Sequence, residues 1–383
     1  MLDRLPIELI DHVLRLALPQ PFSFRQYRER QNTLLALCRT SRAIRAVAQP
    51  LLFEAVQLRT AGEVECLVEA CEATKLGGRV KRVRIEQARR SLPFDGRDYA
   101  ALAETCPAIR DLYLDGFDLD LGDLECFPNL RTLVVSRANL NLPACPFSLP
   151  SLEDFSLIFC YFNPSQISTT FLPHLKRLHF QHAYVFAPAQ AFLDGLLQHC
   201  EAVSCDAVDL TDQHGSPTLT LSHPRLMVDG PWYALPDSRA GASSILAQAR
   251  SIRVHPHANQ PEALSPQEED DRLSQDMRDK TKIVETAQAL HAGNLPLLEA
   301  LYIPFSSLPS SSLPSSSLPS SSTDLRNALS RLRTACAARN IEVVDEPPFH
   351  PYYDSLISRE FSSRCKAIKA EEERANAAQG AGA

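Results

Sequence analysis

The sequence contains no run of about eighteen uninterrupted apolar residues, which is the length that a membrane-spanning helix requires. It also contains no Asn-x-Ser/Thr acceptor for N-linked glycans, because the nearest match, Asn163-Pro164-Ser165, has proline at the middle position. The eleven cysteines are scattered singly, and an odd number favours free thiols over a disulfide framework. These absences predict a protein of the cytoplasm or the nucleus that has no membrane partner.

A basic excess is absent as well, since 39 lysines and arginines stand against 46 acidic residues and leave a net charge of −7. Chains that bind nucleic acid usually show the opposite balance, so no nucleic-acid partner is expected. The sequence has no Cys-x-x-Cys pair, no Gly-x-Ser-x-Gly nucleophile turn and no glycine-rich phosphate loop. We therefore predict a protein that is not an enzyme, with no catalytic residues, no metal and no cofactor.

What the sequence does contain is an internal repeat in its central part. Four segments read Pro-x-apolar-x-x-apolar-x-apolar, at intervals of 21, 22 and 23 residues, and they begin at Pro107, Pro128, Pro150 and Pro173. This interval and core pattern are typical of leucine-rich repeats. A single repeat cannot bury its own apolar face, whereas stacked strands bury a continuous core. Strands of an ordinary mixed sheet also alternate in this way, but the near-constant interval favours the repeat.

Outside these four segments the pattern is weaker and its spacing is wider. Copies of the strand pattern lie at residues 80–85, 205–210, 249–254 and 298–303. The position that carries asparagine or cysteine in many leucine-rich repeats is occupied here by Phe117, Ala138, Cys160 and Ala183. Because that side chain ties neighbouring turns together, we predict turns of reduced regularity. The predicted fold class is accordingly α+β or α/β, an irregular β/α solenoid.

Changes in composition predict the boundaries of the segments. The tract after residue 305 repeats Ser-Leu-Pro-Ser-Ser, which buries little and predicts a flexible loop. The predicted segments are 1–58, a helical motif; 59–305, the repeat-like array; 306–323, the Ser/Pro/Leu-rich loop; 324–346, a closing helix and strand; and 347–383, a polar and partly disordered tail.

The first segment shows helical periodicity. Apolar residues after Pro6 recur at helical spacing, and a second apolar helix and a third helix from about Ser41 follow, with Pro50 expected to end the third. The stretches Leu5-Pro6-Ile7-Glu8-Leu9-Ile10, Leu37-Cys38-x-x-Ser41-Arg42 and Pro50-Leu51-Leu52-Phe53 resemble the F-box motif, as it occurs in many fungal F-box proteins. One departure is the connection Pro19 to Asn32, which is longer than usual.

This resemblance implies a function in ubiquitin-dependent protein degradation. F-box proteins bind a Skp-type adaptor, which joins a cullin scaffold, and they bring a target close to the ubiquitin-conjugating enzyme. The chain is then expected to be the substrate-recognition subunit of such a ligase. The expected adaptor-binding residues are Leu5, Pro6, Leu9, Ile10, Leu14, Leu37, Ser41 and Leu51. The alternative is a non-enzymatic leucine-rich-repeat scaffold outside ubiquitin ligation, in which these leucines form only the core of a helical cap.

The expected target-binding surface lies on the strands of the repeat. Residues between the apolar positions point away from the core, and in leucine-rich repeats they line the concave face. These candidates are Asp111, Tyr113, Thr132, Val134, Asp154, Ser156, Arg177 and His179. Their mixed charges and hydroxyl groups predict recognition of a target protein whose identity stays open. An ordinary solvated sheet face would show the same composition.

Overall fold

The protein is a mixed α/β structure of helices and parallel strands, which confirms the predicted α/β class. Two compact units are present, Met1–Cys200 with Pro351–Arg359, and Glu201–His350 with Glu360–Ala383. The computed structural model describes residues 6–18, 27–87, 94–116, 118–141, 148–163, 172–181, 184–185, 197, 200–206, 225–230, 249–254, 280–304, 320–346 and 374.

The first unit begins with three helices, α1 (Ile7–Ala17), α2 (Tyr27–Cys38) and α3 (Arg42–Glu54), which we call the helical module. The Ser41 side chain caps α3 by accepting the Ile44 N–H at 3.2 Å, as a serine N-cap does. Apolar residues of all three helices form one buried core: Ile10, Leu14, Leu18, Leu34, Ile44, Val47, Ala48 and Leu51.

Two sequence predictions for this module were wrong. Helix α2 begins at Tyr27, so the end of the predicted long connection is helical. Pro50 does not end α3 but lies inside it, and the helix continues to Glu54. Proline removes one backbone hydrogen bond. The last turn of α3 nevertheless holds, because Leu51 and Glu54 beyond the proline are both buried.

The strands of the first unit form two parallel sheets. The larger sheet has the order β1-β2-β3-β5-β7-β9 and the smaller one has the order β10-β8-β6-β4. The strands are β1 (Ala55–Leu58), β2 (Arg82–Glu86), β3 (Asp111–Asp115), β4 (Asp118–Asp120), β5 (Thr132–Ser136), β6 (Asn139–Asn141), β7 (Asp154–Ile158), β8 (Tyr161–Asn163), β9 (Arg177–Gln181) and β10 (Tyr184–Val185).

The four proline-aligned segments pair in register as β3, β5, β7 and β9, which we call the ladder strands. Leu112 lies opposite Leu133, Leu133 opposite Phe155, and Phe155 opposite Leu178, and each of these side chains is almost fully buried. A one-residue slip would turn these side chains to the other face of the sheet, so burial fixes the register. The strands predicted at these four places are therefore confirmed.

The turns that follow β3, β5 and β7 share one unusual backbone conformation. Gly116, Arg137 and Phe159 all have positive φ, at 89°, 53° and 52°. At the next position Cys160 is fully buried, and its thiol reaches the Val135 carbonyl at 3.3 Å. The turns thus repeat without the expected asparagine, and Ala138 occupies the same position as a buried residue. Phe117 and Ala183 lie outside the described residues.

Helices and short 3-10 turns connect the strands of the first unit. Helix α4 (Ala61–Thr74) starts at the N-cap Thr60, and α5 (Gly96–Thr105) starts with a capping box formed by Asp95 and Asp98. The 3-10 turn Gly77–Arg79 packs so closely that a Cβ on Gly77 would lie 2.1 Å from the Thr105 carbonyl oxygen. A second 3-10 segment spans Leu121–Cys126.

The second unit continues the parallel pattern with longer connections. Its strands pair in chain order and are β11 (Ala202–Asp206), β12 (Leu226–Gly230), β13 (Ser251–Val254), β14 (Ala300–Pro304) and β15 (Glu342–Glu346). The helices in the described part of this unit are α6, residues 280–291, and α7 (Ser320–Ala338). Helix α7 was expected to start at Asp324 but begins at Ser320, so the end of the predicted Ser/Pro/Leu loop is helical. Residues 306–319 and most of the predicted tail lie outside the described residues.

No helix in the described ranges combines the length and the apolar character needed to cross a membrane.

Candidate protein-interaction surfaces

Helix α1 carries apolar residues on two different faces. Ile10 and Leu14 point into the module core and are 2% and 6% exposed. Leu9, Val13 and Leu16, which we call the outer row, follow each other at i, i+4 and i+7 and therefore share a second face. Their side chains are 50%, 41% and 73% exposed. Because a single helix–helix packing buries only one stripe, the second stripe remains open.

Exposure of large apolar side chains is concentrated in the helical module. Seven large apolar residues of the described part of the chain are exposed, and five of them belong to α1 or α2. These five are the outer row together with Ile7 and Leu35. The other two, Tyr161 and Leu297, stand alone, and single exposed apolar residues are ordinary in folded proteins. These exposed side chains make the helical module the first candidate for an interaction surface in the described part of the chain.

The structure separates the predicted adaptor-binding residues into three sets. Leu9 lies in the outer row, and Pro6 is exposed immediately before α1. Ile10, Leu14 and Leu51 belong to the module core, and Leu37 packs against that core. Ser41 is the N-cap of α3, and Leu5 lies outside the described residues. Adaptor binding by these residues stays a prediction, and changes at the core positions would also remove packing.

Sequence reasoning missed four of the exposed apolar residues: Ile7, Val13, Leu16 and Leu35. A signal for three of them was present in the sequence. The apolar residues of α1 are too many for the single stripe that a core-facing helix needs. For Leu35, which has Leu34 before it and Leu37 after it, nothing in the sequence indicated which side chain faces the core.

The helical module is fixed to the larger sheet by a buried carboxylate. The Glu54 side chain lies 3.4 Å from the Arg15 guanidinium, 3.6 Å from that of Arg30 and 3.9 Å from the Lys81 ammonium. Glu54 is the last residue of α3, and Ala55 already belongs to β1. Burial lowers the pKa of Arg30, and the charge of Glu54 opposes that effect. Glu54 thus connects the three helices with the start of the sheet.

Helix α2 also covers the open edge of the larger sheet. Strand β1 lies at one end of the strand order and has β2 as its neighbour. The Gln57 N–H of β1 donates to the Tyr27 hydroxyl at 3.0 Å. The Gln31 amide donates to the carbonyl oxygens of Leu52 and Ala55 at 3.2 and 3.1 Å. Side chains of α2 therefore satisfy backbone groups that an uncovered edge strand would expose.

The predicted target-binding residues lie in two rows across the ladder strands. Asp111, Thr132, Asp154 and Arg177 are aligned by the strand register, and so are Tyr113, Val134, Ser156 and His179. Six of the eight are half-buried, whereas Ser156 is 7% and His179 is 2% exposed. The structure thus brings all eight residues together, but Ser156 and His179 are buried and do not face solvent. Target binding by the eight residues remains a prediction.

Charges on this face of the sheet are paired with each other. Arg82 Nε lies 2.7 Å from Asp111 Oδ2, and Arg137 Nε lies 2.7 Å from Asp115 Oδ1. Arginines face carboxylates in the pairs Arg82–Asp111, Arg84–Asp115, Arg137–Asp115 and Arg177–Asp154. The face therefore carries no stripe of one sign, and a strongly charged target is not favoured.

Burial also governs the ionisation of this face. It raises the pKa of Tyr113 to about 12, and the negative charge of Asp111 adds to the effect. It raises the pKa of Asp154 as well, although the bond to Arg177 acts in the opposite direction. The phenol of Tyr113 therefore keeps its proton throughout the physiological pH range.

The described ranges show no candidate metal site. They contain no group of three or more His, Cys, Asp or Glu side chains placed to hold a metal ion. Two thiols do lie close together, since Cys71 Sγ is 3.9 Å from Cys106 Sγ. Both cysteines are buried, and burial raises the pKa of each thiol.

No model of a known protein family matches the chain, and no curated protein matches it.

Proposed function

We propose that the chain is the substrate-recognition subunit of a Skp–cullin–F-box ubiquitin ligase. The helical module would dock a Skp-type adaptor and, through it, a cullin. The sheet region, by which we mean residues 59–305 and 324–346, would hold a target protein. The observation that carries the proposal is the outer row of α1, because three large apolar side chains stay exposed beside a completed core. Ile7 to Ile10 of the first F-box-like stretch belong to the same helix.

Burial of the outer row in an interface would supply favourable free energy for docking. Burying one Leu or Val side chain completely is worth about 1.5–3 kcal/mol. Leu9, Val13 and Leu16 already bury part of their surface, so each contributes less than this maximum. Interfaces commonly depend on a few such anchors near their centre. The outer row therefore suits the role of a central anchor group.

The second half of the proposal concerns the target. We propose that the sheet region is a leucine-rich-repeat solenoid with irregular connections. The in-register ladder strands and the repeated positive-φ turns support this, since both recur at the sequence interval of the repeat. A non-catalytic receptor of this kind acts by raising the concentration of a target lysine near the charged enzyme. No bond chemistry by this chain is part of the proposal.

One observation favours a second function, a repeat scaffold outside ubiquitin ligation. Tyr27 and Gln31 cover the edge of β1, which is what a terminal cap of a solenoid must do. A cap alone needs only one apolar face on α1, however, and the outer row is a second. The scaffold function thus explains the core of the module but leaves the outer row without a role.

The test is binding of the full-length chain to a purified Skp-type adaptor. We expect the wild-type chain to bind, and to recover a cullin when the cullin is added. The triple variant Leu9→Ala/Val13→Ala/Leu16→Ala should weaken binding at least about 100-fold, or about 2.8 kcal/mol. The variant Leu297→Ala, which alters an exposed leucine of the second unit, is the matched control.

Two outcomes would overturn the proposal. The first is absence of adaptor binding by a folded wild-type chain, which would leave the scaffold function. The second is unchanged binding by the triple variant, which would remove the outer row as the docking surface. Circular dichroism of each variant checks that the fold is retained. The pair Leu5→Ala/Pro6→Ala is expected to abolish binding as well, which tests the start of the motif.

A further inference from the structure

Three exposed arginines lie at the junction between α2 and α3. Arg39, Arg42 and Arg45, which we call the basic corner, are all solvent-exposed. Within the described ranges, no carboxylate lies within ion-pair distance of these three residues. Most arginines of the larger sheet, in contrast, are paired with aspartate or glutamate. The chain as a whole is acidic, so an unpaired basic group of this kind runs against its overall charge.

The basic corner adjoins exposed apolar surface. Leu35 of α2 is 45% exposed, and Arg39 follows the helix directly, with its backbone N–H bonded to the Ala36 carbonyl oxygen at 3.0 Å. Arg45 reaches back to the end of α2, since its Nε donates to the Cys38 carbonyl at 2.7 Å. Arg42 lies one turn before Arg45 on α3. Charge and apolar surface thus meet on the same module that carries the outer row.

Helix stability explains only part of this arrangement. A cation near the C-terminal end of a helix is favourable, which accounts for Arg39 and for the bond from Arg45. Arg42 is instead the first residue of α3, where the helix dipole disfavours positive charge. The first turn of α3 contains no acidic residue that would offset it. Arg42 therefore costs helix stability and receives no compensation from a carboxylate in the described structure.

We infer that Arg39 and Arg42 are rim contacts of the docking surface, and that the adaptor presents carboxylates to them beside its apolar groove. This inference rests on the proposed function and adds the charge of the partner surface. Opposite charges at the rim of an interface mainly accelerate association and set its orientation, whereas buried apolar anchors hold the complex. The outer row supplies the anchors and the basic corner supplies the steering.

The experiment measures association and dissociation rates of the full-length chain with a purified Skp-type adaptor, at about 50 and about 500 mM NaCl, between which charge screening increases several-fold. Arg39→Gln/Arg42→Gln should slow association about fivefold to tenfold at low salt, leave dissociation nearly unchanged, and match wild type at high salt. Arg39→Lys/Arg42→Lys should retain most of the wild-type rate, because the effect depends on charge.

The matched control is Arg79→Gln/Arg97→Gln, which removes the same charge from two exposed positions elsewhere in the first unit. Adaptor binding by wild type with equal rates for the two double variants would overturn this inference and leave the proposed function standing. Failure of wild type to bind the adaptor would overturn both.

A labelled single-stranded RNA is the second probe. If the basic-corner variant lost RNA binding but kept normal adaptor rates, the corner would be a nucleic-acid contact and the inference would be wrong.

Discussion

The helical module and the ladder strands solve the problem of apolar burial in opposite ways. Each ladder strand finds its partner in the next copy of the same pattern, so Leu112, Leu133 and Leu178 are fully buried by neighbours of their own kind. The helical module contains no such repeated pattern. Its three helices close one core and leave the outer row exposed. Repetition buries the apolar residues of the ladder strands, whereas the module leaves an apolar row of α1 exposed.

This difference assigns different roles to residues that look alike in the sequence. A leucine on a ladder strand stabilises the fold, and a leucine of the outer row is free to stabilise a complex. The two regions can therefore be told apart by measurements on the isolated chain, and three comparisons between variants test the contrast.

The largest effect is expected from truncating a ladder leucine. Leu133→Ala removes a fully buried side chain and should lower the free energy of unfolding by about 2–5 kcal/mol, because the remaining cavity adds to the lost transfer energy. Leu16→Ala, at a 73% exposed position, should change it by no more than about 0.5 kcal/mol. Urea unfolding of both variants measures the difference. A similar loss for the two would end the contrast, since it would make the outer row part of the core.

An intermediate effect is expected where the two regions join. Glu54→Gln keeps the shape of the side chain but removes the charge that faces Arg30, which is 3% exposed. We expect the free energy of unfolding, measured in urea, to fall by about 2 kcal/mol. This is the usual scale for a hydrogen-bonded charge in a largely buried site.

Glu65→Gln is the control for this substitution, because Glu65 is exposed on α4 and the charge change is the same. A double-mutant cycle with Lys81→Met then isolates the contribution across the junction. A coupling energy of zero would show that Lys81 gives no support to the module.

The smallest effect concerns the repeated turn. Gly116 has φ of 89°, and a Cβ there would meet its nearest atom, the Gln87 carbonyl oxygen, at 3.7 Å. Space is thus available, and only backbone strain opposes Gly116→Ala, which should destabilise the chain by about 1 kcal/mol. Gly62→Ala, on α4 with nothing near its Cβ, should be neutral or stabilising. The same sign for both variants would contradict the strain at this turn.

Much of the sheet was predictable because its signal is repeated. Alignment of the segments on their prolines places Leu112 opposite Leu133, and the strand register confirms that pairing. The positive φ of Arg137 and Phe159 was not predictable, since neither residue type favours that conformation. The path of α3 through Pro50 was also missed, because the burial of Leu51 and Glu54 that holds its last turn is a tertiary effect.

The surfaces were predictable only in part. Apolar spacing located α1 but could not say that Ile10 faces the core while Leu9 faces solvent, because that depends on where α3 packs. The alternation along β7 and β9 predicted outward-pointing side chains, yet Ser156 and His179 are buried. Pairs such as Arg82–Asp111 could not be foreseen, because they join residues of different strands and depend on side-chain reach.

The direct continuation of α3 into β1 has a practical consequence for protein engineering. The two elements share no linker, and Tyr27 and Gln31 of the module are bonded to the backbone around the start of β1. The module is therefore not an interchangeable cassette. A fragment that starts at Ala55 would present β1 as a bare edge, and an exposed edge strand invites intermolecular pairing and aggregation. Grafting a foreign module onto this sheet would need a replacement for both side chains.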